Sequence, residues 1–446
     1  MPVRLIDSLA TTEALANVFS DQQVLHAMLD FEAALARAEA RQNVIPQAAA
    51  EAIGKAAVAE GFDVAVLSRE ALRAGTPAIP VVKALTERVR ADDPHAARFV
   101  HWGATSQDVT DSALILLLRR TRAILASDHA RLIGALSKLA AEHVDTVMLG
   151  RTLLQPAPPV TFGLKAAGWL ASIRRGWARI DTRFAEAEVL QFGGASGTLA
   201  ALGDRGDAVG RVLAAELGLK YPDAPWHTHR DCLAALLAAC AVECGSLGKM
   251  ARDIALLMQG EVAEAAEPGG DGRGGSSTMP HKHNPVASSL ALASAHRVPG
   301  LLASFLSAMV QEHERGVGGW QAEWPIVTSI IQALGVAVAS MAEAAEGLTV
   351  DASRMRANLE ATRGSVFAER VMILLGATLG RDVAHKLLEQ ASLQSAAQGR
   401  RLVDVLREIP EVTRIIPAAT LDSLDSPRDY LGLASVFQKR LATPPQ

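Results

Sequence analysis

Long segments in which apolar residues recur every three or four positions run through most of this chain of 446 residues. That spacing predicts amphipathic α-helices, and the alternation typical of strands is scarce. Alanine and leucine favour helix, and small alanine side chains let helices approach closely. The predicted helical segments are Val24 to Ala40, Ser112 to His143, Val160 to Leu190, Ala208 to Leu217, Asp231 to Ala265, Ala287 to Val310 and Trp324 to Gly347.

The length of these segments predicts how they pack. As one helix, Asp231 to Ala265 would extend about 50 Å. Helices of that length with apolar stripes pack as bundles, and often against other subunits. The sequence therefore predicts an all-α fold built around a central bundle of long helices.

Composition and charge exclude several classes of protein. The chain is 49% hydrophobic and 21% charged, which suits a large buried core and excludes disorder on a large scale. A net charge of -4 provides no basic field for nucleic acid or for an anionic membrane, so an anionic substrate needs a local cluster of cations. Cys232, Cys240 and Cys244 share one helix face and are expected to fill core space rather than form disulfides. Without a visible signal peptide or membrane span, we expect a soluble cytoplasmic protein.

The polar run GGSSTMPHKHNPV, Gly274 to Val286, differs most from the rest of the chain. Its glycines and prolines predict a loop. Ser276 is a candidate nucleophile or base, Lys282 a cation that can stabilise a developing enolate, and Asn284 a neutral donor or acceptor. A surface connector is the alternative for such a composition. Two histidines in this run have the spacing of metal ligands, but no carboxylate or cysteine pattern accompanies them, so no metal is expected.

Three further segments carry candidate binding residues. In HWGATSQD, His101, Thr105 and Ser106 are candidates for binding a carboxylate at a helix start, whereas helix capping by Ser106 or Asp108 is the structural alternative. The second segment is GRTLLQPAPPVTFG, residues 150–163, in which Thr152 and Gln155 are the candidates. The third is QEHERGVGGWQAEW, in which Arg315 is a natural clamp for a planar carboxylate. The two tryptophans at its end either line a pocket or pack at a domain junction.

Together these segments resemble the signature regions of the fumarase/aspartase superfamily. The run GSSxMPxKxNP is similar to the superfamily's signature loop, and HWGATSQD to its HxGxTSxD region. EHER followed by WQAEW is similar to the 3-carboxy-cis,cis-muconate cycloisomerase family within it, and WHTHRD at 226–231 fits the same family. The resemblance covers essentially the whole chain.

Leu153 is a departure from the superfamily's GRTHxQxAxPxTxG pattern, in which many lyases have a histidine at this position. That histidine acts on the leaving group in members that eliminate an amine or water. A carboxylate leaving group, with a parent pKa of about 4, departs without an acid. The leucine therefore favours a cycloisomerase over a fumarase, an aspartase, or the argininosuccinate and adenylosuccinate lyases.

The resemblance implies a fold, a reaction and an assembly. It implies three helical domains at about 1–109, 110–349 and 350–446, and a homotetramer whose active sites combine loops from several subunits. It implies lactonisation of a small polycarboxylate, 3-carboxy-cis,cis-muconate, without a cofactor; a 3-sulfomuconate substrate and a β-elimination lyase remain alternatives. Ser276, Lys282 and Asn284 would be catalytic, and the remaining implied residues bind substrate: His101, Thr105, Ser106, Thr152, Gln155, Arg230, His281 and Arg315.

Overall fold

The computed structural model describes residues 5–270, 274–275, 279, 282–424 and 426–443. Within these residues the chain is predominantly helical, which confirms the predicted all-α class. The helices are α1 Glu13–Val18, α2 Asp21–Arg41, α3 Gln47–Ala56, α4 Val64–Ala74, α5 Ala78–Asp92, α6 Ser106–Glu142, α7 Phe162–Ala187, α8 Gly206–Leu217, α9 Asp231–Leu257, α10 Val286–Ala308, α11 Gly319–Glu346, α12 Ala352–Glu360, α13 Ala368–Leu379, α14 Arg381–Gln398, α15 Leu402–Arg407, α16 Pro410–Thr413, α17 Ala418–Ser423 and α18 Ala434–Ala442.

Two short antiparallel pairs of strands interrupt the helices. β1 Val147–Thr152 pairs with β2 Gln155–Thr161 in a hairpin, and Ala265–Ala266 (β3) pairs with Thr349–Val350 (β4). The hairpin occupies residues that the sequence places partly in a helix. α7 therefore begins at Phe162, after the second strand, rather than at Val160.

The sequence predicts a longer α9 than the structure contains. It ends at Leu257 instead of Ala265, because the chain turns after it and Ala263 adopts a positive φ of 49°. The next residue, Glu264, accepts a hydrogen bond from the Asp351 backbone N–H through its backbone oxygen, which fixes this segment beside β4. Conversely, α11 begins at Gly319, five residues earlier than Trp324, although glycines surround its start.

The chain divides into two compact units, each made of separate stretches of sequence. Unit 1 comprises residues 1–130, 175–248 and 290–340, and unit 2 comprises 131–174, 249–289 and 341–446. In unit 1, α2 packs against α3 and α8. In unit 2, α13, α14 and α15 enclose a core that includes Leu375, Leu388 and Val405. The three domains implied by the resemblance stay a prediction, although α6 begins and α11 ends near their proposed boundaries.

Two helices in the described part of the chain are long and apolar enough to cross a membrane by length and composition. They are α9 and α11, and 56% and 72% of their most apolar windows are buried inside the protein. Core helices of water-soluble proteins have the same combination of hydropathy and burial.

Helix α2 buries two carboxylates one heptad apart. Glu32 is 1% exposed and Glu39 is fully buried. Neither oxygen of Glu39 has a hydrogen-bond partner among the described residues. Burial, with a smaller contribution from the charge of Glu32, raises the pKa of Glu39 from 4.5 to about 9. Glu39 is therefore neutral in the folded protein at pH 7.

Glu39 makes stability depend on pH. In the unfolded chain this carboxyl ionises near 4.5, while in the folded protein it keeps its proton up to about 9, so stability falls as pH rises between those values. Glu39→Gln removes this dependence, and we expect the wild-type protein to lose about 4 kcal/mol relative to the variant between pH 5 and pH 8. Denaturant unfolding at several pH values measures it. Glu51→Gln, at an exposed glutamate on α3, is the matched control; parallel pH curves for wild type and Glu39→Gln would contradict the prediction.

Candidate active site

Four segments meet in unit 1 and bring several charged residues together. They are the loop 101–105 with the start of α6, the glycine-rich loop 193–197, the segment 226–231 before and at the start of α9, and residues 311–323 leading into α11. Three of these segments contain residues that the sequence singles out as substrate-binding candidates. The fourth, the glycine-rich loop, contributes backbone groups.

Asp108 connects three of the four segments through a single carboxylate. Its oxygens accept hydrogen bonds from the backbone N–H groups of Gly193 and Gly194, at 3.0 and 2.9 Å, and from the N–H of Thr105 at 3.1 Å. His227 Nε2 lies 2.7 Å from Oδ1. The bond from Thr105, which precedes α6, resembles the returning half of a capping box. Asp108 thus has the capping role that the sequence offers as an alternative, and it also holds the glycine-rich loop.

The glycines of that loop are required by their surroundings. Gly194 has a φ of +67°, and a Cβ there would lie 2.8 Å from the carbonyl oxygen of Gly103. Gly103 itself has a φ of +72° and lies against Leu202. The two loops therefore pack backbone against backbone, which only glycine permits at these positions.

Arg230 is buried between two carboxylates. Its Nη1 and Nη2 lie 2.7 and 3.1 Å from the oxygens of Asp111, and its Nε lies 2.9 Å from Glu323. Trp320 Nε1 also donates to Asp111, at 3.0 Å. Burial favours the neutral acid, but the charge and hydrogen bonds of Arg230 outweigh it and lower the pKa of Asp111. Arg230 is 1% exposed, and its ion pairs connect the start of α9 to α6 and α11. This position favours a structural role over the predicted contact with substrate.

Arg315 lies beside the glycine-rich loop. Its Nη2 donates to the carbonyl oxygens of Gly194 and Ala195, at 2.6 and 3.2 Å, and its Nη1 to Gln107 at 3.3 Å. Its Nε is buried without a partner among the described residues. Burial lowers the pKa of Arg315, and the charges of Asp108 and Asp111 oppose that shift. A partly buried guanidinium with an unused donor remains suited to a carboxylate.

His101 and the start of α6 form the accessible edge of this cluster. The His101 ring is 19% exposed, and its Nδ1 lies 2.7 Å from Glu32 Oε1. Its backbone has a φ of +63°, which is uncommon outside glycine. Thr105 and Ser106 are half-buried, and Ser106 is the first residue of α6 rather than its cap. The structure thus places His101, Thr105, Ser106 and Arg315 in one unit.

The other predicted residues that the structure describes belong to unit 2. Thr152 and Gln155 flank the two-residue turn of the β1–β2 hairpin and are exposed. Leu153 and Leu154 form the turn, with φ values of 48° and 65° and exposures of 98% and 72%. Positive φ at both positions is the geometry of a type I′ hairpin turn, normally made by asparagine and glycine.

The end of this hairpin next to the turn is fixed by an ion pair. Arg151 Nη1 and Nη2 bind the two oxygens of Glu264, at 2.9 and 2.6 Å, and Asn358 donates to the same carboxylate at 2.8 Å. The Glu264 carboxylate is fully buried, so the paired guanidinium is what makes its charge tolerable there. The two turn residues therefore follow a strand end that is held in place by these bonds.

The described part of the signature loop is closed at its base. The Asn284 N–H donates to the Gly274 carbonyl oxygen at 2.8 Å, and the Lys282 N–H to that of Met279 at 3.0 Å. The Lys282 side chain is exposed. Ser276 and His281 lie outside the described residues. The sequence therefore remains the basis for assigning them.

The loop leads directly into α10, whose start is capped by Glu267. One oxygen of this carboxylate accepts from the Ala287 N–H at 2.9 Å, and the other from the Ser288 N–H at 2.8 Å and the Ser288 hydroxyl at 2.6 Å. A carboxylate at a helix N-terminus is favourable for both hydrogen bonding and the helix dipole. Both ends of the signature loop are therefore anchored within unit 2. Among the described residues, no group of three histidines, cysteines or acids is arranged to hold a metal.

The sequence analysis did not identify several residues of this cluster as site candidates. Asp111, Gln191 and Glu323 complete the buried network, and Glu32 is the partner of His101. The available signal was the presence of acids on apolar faces: Asp108 and Asp111 open a helix that continues ALILLL, and Glu32 lies within FEAALARAEA. Unpaired acids are rarely buried. Their partners, however, lie far away in sequence.

Asp108→Asn tests whether this carboxylate organises the site. An amide has one oxygen to accept these bonds, so we expect a loss of about 3 kcal/mol in the free energy of unfolding. Denaturant titration measures it, and Asp207→Asn, at an exposed aspartate paired with Arg211 on α8, is the control with nearly unchanged stability. Equal stability of the two variants would show that Asp108 is dispensable.

Comparison with known proteins assigns the chain to a family. A model of the lyase family matches residues 9–300, and a model of the adenylosuccinate lyase C-terminus matches residues 364–441. A 3-carboxy-cis,cis-muconate cycloisomerase of Bradyrhizobium diazoefficiens is 48% identical over 98% of this chain and 97% of its own. A nitrosuccinate lyase of Streptomyces davaonensis is 43% identical over 93% of this chain and 89% of its own.

Solved structures agree with this assignment. The crystal structure of the 3-carboxy-cis,cis-muconate lactonizing enzyme from Pseudomonas putida matches with a TM-score of 0.91 and 45% identity, over 98% of each chain. Both the predicted fold and the predicted resemblance are thereby confirmed. The chain belongs to the lyase family of the fumarase/aspartase superfamily, among relatives that include the 3-carboxy-cis,cis-muconate cycloisomerases.

Proposed function

We propose that this protein converts 3-carboxy-cis,cis-muconate to a carboxymuconolactone, the lactonising step of protocatechuate breakdown. The observation that carries the proposal is Leu153 at the tip of the β1–β2 hairpin, 98% exposed, where many lyases of the superfamily have an acid–base histidine. An apolar residue there suits a reaction whose leaving group, in the reverse direction, is a carboxylate. The identity to cycloisomerases over nearly the whole chain supports the same reaction.

The reaction requires no cofactor, and the one proton that it consumes comes from solvent by way of Ser276. One substrate carboxylate adds to a double bond conjugated with another carboxylate, so a carbon–oxygen bond forms and the displaced π electrons move into an aci-carboxylate. Ser276 then delivers a proton to carbon, while Lys282 and Asn284 stabilise the enediolate charge. Preorganised donors of this kind contribute several kcal/mol in a site that excludes water. No cofactor takes part in this scheme.

The remaining carboxylates of the substrate need fixed cations and donors. We assign this role to His101 and Arg315, assisted by Thr105 and Ser106 at the start of α6, which lie in one unit. Thr152, Gln155 and His281 contribute from the hairpin and the signature loop. Because a trianion is costly to bury, several such contacts are required. Arg230 supports the site by holding Asp111 and Glu323 rather than by reaching the substrate.

We further propose that the enzyme is a cytoplasmic homotetramer whose active sites combine these groups from different subunits. The exposed turn at Leu153 and Leu154 supports this assembly, since no described residue of their own chain covers these two neighbouring leucines, which are 98% and 72% exposed. Val242 on α9 and Leu306 on α10 are similarly exposed, at 55% and 47%. Size-exclusion chromatography with mass measurement tests the subunit number.

One second candidate has a specific observation in its favour. The similarity to a nitrosuccinate lyase is nearly as high as that to the cycloisomerases. Elimination from a nitrosuccinate would expel nitrite, a weakly basic anion that also needs no acid, so Leu153 fits both reactions. Comparing specificity constants for 3-carboxy-cis,cis-muconate, 3-sulfo-cis,cis-muconate and nitrosuccinate separates these activities. A fumarate-release assay with argininosuccinate or adenylosuccinate covers the other elimination lyases.

Ser276→Ala is expected to remove lactonisation, because the proton for carbon then has no donor. Loss of the ultraviolet absorbance of the diene follows the reaction, and we expect the rate to fall by at least about a hundredfold. Ser304→Ala, at an exposed serine on α10, is the matched control and should retain full activity. Undiminished turnover in Ser276→Ala, with the assembly intact, would exclude the assigned role.

Leu153→His restores the residue that many lyases have at this position. Since the carboxylate needs no acid, we expect kcat for lactonisation to change by less than about threefold. Stopped-flow or steady-state absorbance measures it, with Leu154→His as the control for adding an imidazole to the same turn. A large rate gain specific to Leu153→His would contradict the leaving-group argument.

A further inference from the structure

The carboxylate behind His101 is not among the candidate site residues that the sequence identifies. Glu32 belongs to α2, 69 positions away in sequence from His101, and its Oε1 lies 2.7 Å from His101 Nδ1. The Glu32 side chain is fully buried, whereas the His101 ring is 19% exposed. The ring therefore has one nitrogen turned inward to a buried acid, and its other nitrogen, Nε2, lies on the opposite side.

The burial of Glu32 favours a cation as its partner. A buried carboxylate is tolerated as an anion only with a close cation or several donors, and Glu32 Oε2 has no partner among the described residues. Glu39, the next acid along the buried face of α2, is neutral at pH 7, since its pKa is raised to about 9. An imidazolium at His101 is therefore the natural counter-ion for a carboxylate buried at this position.

The backbone of the loop holds the ring where it is. His101 adopts a left-handed φ of +63°, a conformation that persists in non-glycine residues when surrounding contacts fix it. The loop is held by the Thr105 N–H bond to Asp108 and by the contact of Gly103 with Leu202. Reorienting the ring would break the bond to Glu32 and leave a buried acid without its partner.

We propose that Glu32 is a positioning residue that keeps His101 as an imidazolium, with Nδ1–H bound to Glu32 and Nε2–H presented to a carboxylate of the substrate. The inference rests on the proposed function for the identity of that carboxylate. The pairing itself does not depend on it. A charged donor at this position binds a carboxylate more strongly than a neutral imidazole does.

The electrostatics of the ring agree with this role. Burial by itself lowers the pKa of His101, but the charge of Glu32, the hydrogen bond to it and the charge of Asp108 raise it above its ordinary value of 6.5. The acids that act on the ring thus come from α2 and from α6. As pH rises through this raised pKa, His101 loses its charge and substrate binding weakens.

Nuclear magnetic resonance titration of His101 tests the pairing without any assay of activity. We expect the wild-type ring to titrate above 6.5 and the Glu32→Gln ring to titrate about one pH unit lower or more. His101→Gln identifies the resonance. A wild-type ring that titrates below 6.5, or one unmoved by Glu32→Gln in a folded variant, would overturn the proposal.

Steady-state kinetics test its consequence. Glu32→Gln should raise KM up to about tenfold in the pH range where the variant ring has lost its proton and the wild-type ring keeps it, and the difference should close at lower pH, where both rings are charged. kcat should change little, and Glu32→Gln should add no further effect on KM in a His101→Gln background. Asp30→Asn, a half-exposed acid on the same helix, is the matched control with an unchanged pH profile.

The two measurements separate this inference from the proposed function. If Glu32→Gln shifts the titration of His101 while KM does not respond, the pairing stands and His101 does not bind the substrate. A KM raised equally at every pH, with unchanged titration, indicates a general packing defect and refutes the positioning role. Should Glu32→Gln fail to fold, the wild-type titration and the pH dependence of wild-type KM still decide the outcome.

Discussion

The candidate site in unit 1 depends on the hydrogen bonds that the Asp108 carboxylate accepts. This carboxylate accepts hydrogen bonds from the loop before α6, from the glycine-rich loop and from His227, so three segments distant in sequence share one acceptor. Arg315 then binds carbonyl oxygens of the same glycine-rich loop. Removing the central acceptor would leave buried donors without partners, which costs more than the bonds themselves contribute. The site is thus preorganised by one acid that the substrate never needs to touch.

The sequence predicted what depends on local pattern. Long helices follow from apolar periodicity, and the all-α class follows from them. The predicted end of α9 was wrong because Glu264 lies outside the helix. Its side chain binds Arg151 and its backbone oxygen accepts a hydrogen bond from the Asp351 N–H, and such tertiary contacts override local propensity. The hairpin was missed because its turn uses two leucines with positive φ, where asparagine and glycine are expected.

The candidate site was predictable only in part, for a related reason. Motifs identified His101, Arg315 and the signature loop because each is read within a few consecutive residues. The pairs that hold them are separated by 69 positions for His101 and Glu32 and by 119 for Arg230 and Asp111. No single-sequence pattern connects such residues. The position of Arg230 between two buried acids favours a structural role, and those acidic partners are visible only in the fold.

At the exposed hairpin turn, the residue proposed to matter for the reaction is not one that stabilises the fold of the subunit. Leu153 is 98% exposed among the described residues, while the neighbouring end of β1 is held by the ion pair of Arg151 with the buried carboxylate of Glu264. The side chain at this tip can therefore be exchanged at little cost to the stability of the subunit. Selection for a new leaving group can act on this one position while the scaffold stays constant. Relatives with different reactions can thus diverge at the tip of a shared framework.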